Sequence, residues 1–373
     1  MSGPEPIRFE PVSGWGSAAP FLGVWEQLAR ATGAWLPFQE PGWSAAWWRH
    51  WQRQGRVRTD EFVLWVGRDG GRCVRALLPA VLSRQPGRGP LALRLLGPLG
   101  RDPNVTELQP LVCRPEDTGP AHVGLLGALA ANRRSWDAFR WASVPAGVAA
   151  VVRASAGVEQ VRCLPDYVLQ TGESWPEFVG GLPRNVKEAM RKARNAPRRA
   201  GLEFSFRVLR EVNEVLAVLP EFARLHAARS RAGGPHPAHP DVFSTTRARA
   251  FLAELMRSWA AAGIARVLAL FHDGRLIACR LAFQMRETLY LYYSGWDPAY
   301  APYSVMTRTV VDGMQWAVAN GVRVVNLSTG TDVAKTRWRP ACVEYETLWQ
   351  WAPSARGRLA RLLHRLAGHD RRY

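Results

Sequence analysis

Two stretches of the chain repeat one pattern of apolar and polar positions. "FVLWVGRDGGRCVRALLPAV" (Phe62 to Val81) and "RVLALFHDGRLIACRLAFQ" (Arg266 to Gln284) each read as an apolar strand, a turn and a second apolar strand. Asp69-Gly70 and Asp273-Gly274 supply the tight turns. A helical run ending in glycine precedes each hairpin, "PGWSAAWWRHWQRQG" in one case and "RARAFLAELMRSWAAAG" in the other. After the second hairpin, "TLYLYYSG" reads as a strand. "SVMTRTVVDGMQWAVANG" follows as a helix, its apolar positions including Met306, Val310, Gly313, Met314 and Ala317, and "VRVVNLST" as a further strand. Strands alternating with a crossover helix predict a mixed α/β domain. The first half repeats the plan more loosely through "LALRLLGPL", "AHVGLLGALAAN" and "DAFRWASV". The expectation is a tandem duplication with a boundary near Cys163 to Pro165: an N-terminal domain over 1–163, a C-terminal catalytic domain over 164–353, and a basic tail over 354–373.

Other periodic runs refine this plan. In "GLPRNVKEAMRKARNAPRRAG", Arg184, Lys187, Arg191, Arg194 and Arg198 recur every three or four residues and form one basic stripe on a helix, with Leu182, Val186, Ala189, Met190 and Ala193 opposite. Trp43, Trp47 and Trp51 fall at i, i+4 and i+8, a stripe that reads as core rather than as a stacking platform. His236 and His239 in "PHPAHP" come close together in a proline-rich loop, but no third ligand is near and a metal site is not expected. In the tail, Leu359, Leu362, Leu363 and Leu366 lie at helical spacing among arginines. That pattern fits a helix docked on the body, with weak contact to an anionic membrane surface as the alternative.

Composition narrows the function classes. The 373 residues carry a net charge of +18, of which +6 lies in 1–163 and +12 in 164–373, so an anionic partner is expected chiefly for the second half. Arginine dominates: Lys187, Lys192 and Lys335 are the three lysines among 49 basic residues. Cys73, Cys113, Cys163, Cys279 and Cys342 are scattered and nowhere spaced as metal ligands, which predicts reduced, mostly packed thiols and neither zinc nor disulfides. No run approaches a membrane span and no signal peptide is visible, so a cytoplasmic protein is expected.

In order and spacing, "PFQEPGWSAAWWRHW", "GLPRNVKEAMRKARNAPRRAG", "FARLHAARSRAGG", "YLYYSGWDPAYAPYSVMTRTVVDGMQWAVANG" and "GTDVAKTRW" resemble the CelD-like branch of the GNAT acyltransferases, which is related to the FemABX aminoacyl transferases. The resemblance runs from about Trp35 to Trp351. It implies two tandem GNAT-like domains and transfer of an acyl group from acetyl-CoA or another acyl-CoA, without a metal, to an amine of a small molecule or amino sugar. An aminoacyl-tRNA donor, or a non-catalytic binding protein on the same fold, are the rival readings.

The resemblance also implies site residues. The strand ending at Ser294, the loop from Gly295 to Tyr303 and the helix opening at Ser304 and Val305 would receive the pyrophosphate of coenzyme A. Ser304-Val305-Met306 stands where related proteins often carry Pro-Gly, and side chains there are expected to crowd a phosphate. Lys335 and Arg337 in "GTDVAKTRW" would assist, with Ala334 in place of the family's tyrosine. For the base that deprotonates the amine, the candidates are Asp332 first, then Asp297, His226 and Glu344, with Asp297 also a natural turn cap. Arg184, Lys187, Arg191, Tyr293 and Trp338 are expected to contact substrate. No GxSxG elbow is present, so direct transfer is expected.

Overall fold

The computed structural model describes residues 6–33, 35–87, 92–102, 104–232 and 240–366. In chain order its elements are β1 (Arg8–Ser13), α1 (Leu22–Ala31), α2 (Pro41–Trp51), β2 (Thr59–Arg68), β3 (Val74–Pro86), β4 (Ala92–Pro98), β5 (Val112–Cys113), α3 (Thr118–Ala131), β6 (Ala138–Pro145), α4 (Ala146–Arg153) and β7 (Val158–Gln170). There follow α5 (Trp175–Gly181), α6 (Arg184–Arg199), β8 (Phe204–Leu209), α7 (Val212–Arg231), α8 (Thr246–Ala261), β9 (Ala265–His272), β10 (Arg275–Met285) and β11 (Thr288–Trp296). A 3-10 turn (Pro298–Tyr303) leads to α9 (Val305–Ala319), β12 (Val324–Thr329), α10 (Val333–Thr336), β13 (Ala341–Trp351) and α11 (Ala355–Leu366). The chain divides into two compact units, Met1–Leu164 with Glu344–Tyr373, and Pro165–Val343.

In the first unit the strand order is β1-β2-β3-β4-β6-β13, with β5 beside β3. All neighbours are antiparallel except β4 and β6. Alternate residues on these strands (Val63 and Trp65, Leu78 and Ala80, Phe139 and Trp141) face Leu125 and Leu129 of α3, the period-two pattern expected of a sheet with one face on a core. Trp43 and Trp47 of α2 are 0% and 2% exposed, so the tryptophan stripe is core. The first hairpin turns over five residues instead of at Asp69-Gly70. Arg72 takes the left-handed conformation (φ 65) and the Asp69 carboxylate accepts the Cys73 N–H, which closes the wider loop. From Glu344 onward the chain belongs to this unit: β13 pairs with β6 from Tyr345↔Pro145 to Trp351↔Ala138, and Leu348 and Ala352 enter its core. The tail helix α11 is docked here, with Arg356 on the buried Asp137 and Arg361 on Glu159.

The second unit orders its strands β7-β12-β11-β10-β9-β8, with β11 and β12 parallel and the rest antiparallel. The hairpin β9–β10 turns on Asp273-Gly274, both in the left-handed region (φ 47 and 73), as a two-residue turn requires. Helices α6 and α9 pack together, and α9 approaches β9 closely at Gly313, where a Cβ would stand 2.5 Å from Leu268 Cδ1. Helices α7 and α8 pack together, with α7 against β11. Cys113 and Cys279 are buried, whereas Cys73, Cys163 and Cys342 are exposed, so fewer thiols are packed than composition suggested. Among the described residues no helix is long and apolar enough to cross a membrane. His236 and His239 lie outside the described residues.

Candidate functional site

The parallel pair at the centre of the second unit comes apart. Cα partners between β11 and β12 run from Thr288↔Val324 to Tyr290↔Asn326 and then stop, although β11 continues to Trp296 and β12 to Thr329. Both strands bulge where the pairing ends. Tyr292 and Tyr293 of β11 together oppose Leu281 of β10, because Arg280 faces Ser294 and Ala282 faces Leu291. Leu327 and Ser328 of β12 together oppose Tyr167 of β7, because Asn326 faces Val168 and Thr329 faces Asp166. A bulge bends its strand and aims side chains anew, and two bulges on either side of one gap open it into a V. Tyr292 and Tyr293 accordingly lie side by side, ring centroids 4.6 Å apart, in a cluster with Phe243. On β12, Ser328 adopts φ 70, fixed by the Asn326 side chain, which accepts the Ser328 N–H at 2.6 Å and donates to Asp166 at 2.7 Å.

Charged groups gather at the open end. Arg229 of α7 donates to Ser294 Oγ at 2.7 Å, and its charge lies within reach of Asp332 and Tyr293. Arg337, just past α10, donates to Thr307 Oγ1 in the first turn of α9 at 3.2 Å. Its Nε is buried and has no hydrogen-bond partner among the described residues, an unfilled donor at a helix start. Burial holds both guanidiniums below their ordinary range, and Asp332 opposes the shift in each. The start of α9 is open as well: Ser304, left-handed at φ 54, supplies no side-chain cap, so the first backbone N–H groups point outward with the positive end of the helix dipole.

A pyrophosphate fits these residues. Val305 is 1% exposed and turned into a cluster with Leu270, Ile277 and Ala278, and Met306 packs on the same cluster. Val305 is thus turned into the core and Met306 is half-buried against it, which lessens the crowding expected from Ser304-Val305-Met306. Gly295 lies against α7, where a Cβ would stand 2.5 Å from the His226 backbone nitrogen. It serves the approach of strand to helix. Tyr303 packs on Phe204, beside the turn before α9.

Several residues read as reactive or substrate-contacting from sequence are committed elsewhere. His226 is fully buried; Nδ1 lies 2.9 Å from the Ser294 carbonyl and Nε2 accepts the Val242 N–H, so both ring nitrogens tie backbone segments together. Asp297 accepts the Ala299 N–H and pairs with Arg275 at 2.8 Å, which makes it a turn cap. Tyr293 is buried among aromatic rings, and Trp338 lies in the core with its indole N–H on the Ala334 carbonyl. Lys335 folds back onto the Thr329 carbonyl and holds the end of β12.

The basic stripe is placed unevenly. Arg194 reaches Gln315, in the third turn of α9 from its start, and the end of α6 leads to Phe204, which contacts Tyr300 and Tyr303. The beginning of α6 thus lies toward the far end of α9. Arg184 is solvent-exposed and paired with Glu188, Lys187 caps α5 through the Gly180 carbonyl, and Arg191 is exposed. Asp332 is the one candidate base at the open end. It caps α10 through the Ala334 N–H at 2.9 Å while staying exposed. Glu344 falls in the first unit. Sequence reading missed Arg229 and Thr307. One signal was available: Arg229 follows Phe222, Leu225 and His226 at helical spacing, a cation in register with a buried face.

Residues 184–336 match the family model described as Acetyltransferase (GNAT) domain, a span that runs from α6 through α10 and ends one residue before Arg337. Among solved structures, one described as FemX is similar over 96% of this chain and 99% of its own, with TM-score 0.63 and 11% identity. A tandem GNAT protein from the clavulanic acid biosynthesis pathway is similar over 93% of this chain and 100% of its own, with TM-score 0.51 and 12% identity. No curated protein matches the sequence. The fold is a duplicated GNAT-like one.

Proposed function

We propose that the protein is a cytosolic N-acyltransferase of the CelD-like kind, which moves an acyl group from an acyl-CoA to the amine of a small molecule or amino sugar. One observation carries this reading: the V between β11 and β12 opens beside the uncapped first turn of α9, and Arg337 lies across that turn with a donor unfilled. Backbone N–H groups and a guanidinium together suit a pyrophosphate, while the V admits an extended pantetheine arm between two strands. The acyl carbonyl would lie against the bulged stretch Tyr292–Tyr293, whose backbone stabilises the oxyanion. The amine nitrogen forms its bond to the carbonyl carbon as the carbon–sulfur bond breaks. The proton lost by the amine passes to Asp332 Oδ2 and then to the departing thiolate, with Arg229 and Arg337 within electrostatic reach of the carboxylate.

The exposed arginines of α6 and the net charge of +18 favour a second reading, in which the donor is an aminoacyl-tRNA. Calorimetry of nuclease-treated protein with acetyl-CoA and coenzyme A at two salt concentrations tests both. Saturable one-site binding, weakened at least ten-fold by Arg337→Gln, is the expected result. Absence of heat with either ligand, together with steeply salt-dependent binding of aminoacyl-tRNA, would transfer the assignment to the second reading. Replacing Asp332 by Asn, which keeps the helix cap, should leave coenzyme A binding intact and lower kcat by about 100-fold or more in an amine-acetylation assay.

A further inference from the structure

The first unit contains an opened parallel pair of its own. Cα partners between β4 and β6 are limited to Leu95↔Ala138 and Leu96↔Phe139, after which β6 bulges: Ala142 and Ser143 together oppose Thr347 of β13, and Ser143 takes φ 55. This repeats, residue type included, the bulge at Leu327 and Ser328 in the second unit. The resulting mouth holds a cavity of about 390 Å³, walled by the loop after β4, by β6, by the first residues of β7 and by Thr347 and Trp349. A cavity of that size accommodates a small metabolite.

Its electrostatics are unbalanced. Asp102 is saturated internally: Oδ1 accepts the Val105 and Thr106 N–H groups, and Oδ2 accepts the Thr106 hydroxyl and the Trp47 indole N–H. The guanidinium of Arg140, at the vertex where β4 and β6 separate, has one hydrogen bond among the described residues, a long one of 3.5 Å to Gln109 Oε1. Arg162 of β7, on the same cavity, has no hydrogen bond or ion pair among the described residues. The two guanidiniums repel each other, and burial adds to the cost of the charge on Arg140. The cavity is lined by the guanidiniums of Arg101, Arg140 and Arg162 against the carboxylates of Asp102 and Glu107; Asp102 attracts Arg140, yet among the described residues no carboxylate is bonded to Arg140 or to the exposed Arg162, which suits the pair to a further anion.

We infer that this cavity binds an oxyanion, the phosphate or carboxylate of a small molecule, held between the guanidinium forks of Arg140 and Arg162. The recognition differs from that in the second unit. There, an uncapped helix start follows the strand after a short turn; here β4 runs into a loop stapled by Trp47 and Gln109, and α3 begins only at Thr118. The anion is therefore gripped by side chains rather than by backbone N–H groups, and the inference is independent of the acyltransferase reading.

Arginine-selective labelling of the full-length protein with phenylglyoxal, read by peptide mass spectrometry, tests it site by site. Arg162 should label in the absence of anion and be protected several-fold by pyrophosphate or by citrate, whereas the exposed Arg8 labels equally throughout. Stronger protection by pyrophosphate identifies a phosphorylated ligand, and stronger protection by citrate a carboxylated one. Arg140→Gln should abolish protection at Arg162. Equal labelling of Arg162 with and without both anions, or protection that survives Arg140→Gln, overturns the assignment.

Discussion

Burial disfavours the charged forms of both His122 and Asp102, two residues of the first unit, and their effects on stability run in opposite directions. His122 is 2% exposed, bonded to the Thr118 carbonyl and stacked on Trp141, and burial pushes it down to about 4 from an ordinary 6.5. Its stabilisation is complete above that ordinary value and is lost as pH falls toward the folded one, because the unfolded ring takes a proton that the folded ring refuses. Burial pushes the Asp102 carboxyl up to about 6 from 3.8, against four hydrogen bonds. The folded state then holds the proton more tightly, so the contribution of this group falls as pH rises from 3.8 to about 6. The two slopes overlap and partly cancel. Urea unfolding against pH should show His122→Gln relatively more stable at pH ~4 than at pH ~6, and Asp102→Asn the reverse. Residues in the candidate site were legible by type more than by role. Asp332 is named because a carboxylate lies beside a family motif, and the structure leaves it exposed within electrostatic reach of Arg229 and Arg337. His226 and Trp338 were misread because a sequence does not show which nitrogens a backbone occupies.

At the scale of elements, the repeat of helix, hairpin, strand, helix and strand was readable because each piece is set by local periodicity and turn chemistry. Asp273-Gly274 made its turn as a two-residue signal should, while Asp69-Gly70 did not, because a left-handed Arg72 and the Asp69 side chain stabilise a wider loop. Bulges were not readable. The pair Tyr292–Tyr293 is an apolar run like any other until its partner strand supplies one residue, Leu281, against two. The close seam between α7 and β11 is equally hidden, and it can be tested. Gly295→Ala puts a methyl group 2.5 Å from the His226 backbone, which cannot rotate away, and should cost roughly 1–3 kcal/mol in chemical unfolding. A loss well below that range would mean that the seam is loose.

For the whole molecule, the consequential feature is the route of the chain. Glu344–Tyr373 completes the first unit through the β13–β6 ladder and the burial of Leu348 and Ala352. A protein ending at Val343 should therefore lose amide protection across β4 and β6 in hydrogen exchange, while β9–β10 keeps its own. Uniform protection in both units would refute this. The sequence by itself determined the fold class and the duplication, since hydrophobic period, turn residues and motif order are properties of neighbouring residues. It also determined which half carries the excess positive charge. Only the tertiary structure decided where the parallel strands part, which arginines face the opening and which strand closes the first sheet. Those outcomes rest on pairings between separate elements, from Tyr290 with Asn326 across the parallel pair to Trp141 with Gln350 more than two hundred positions away, and no local pattern encodes such a pairing.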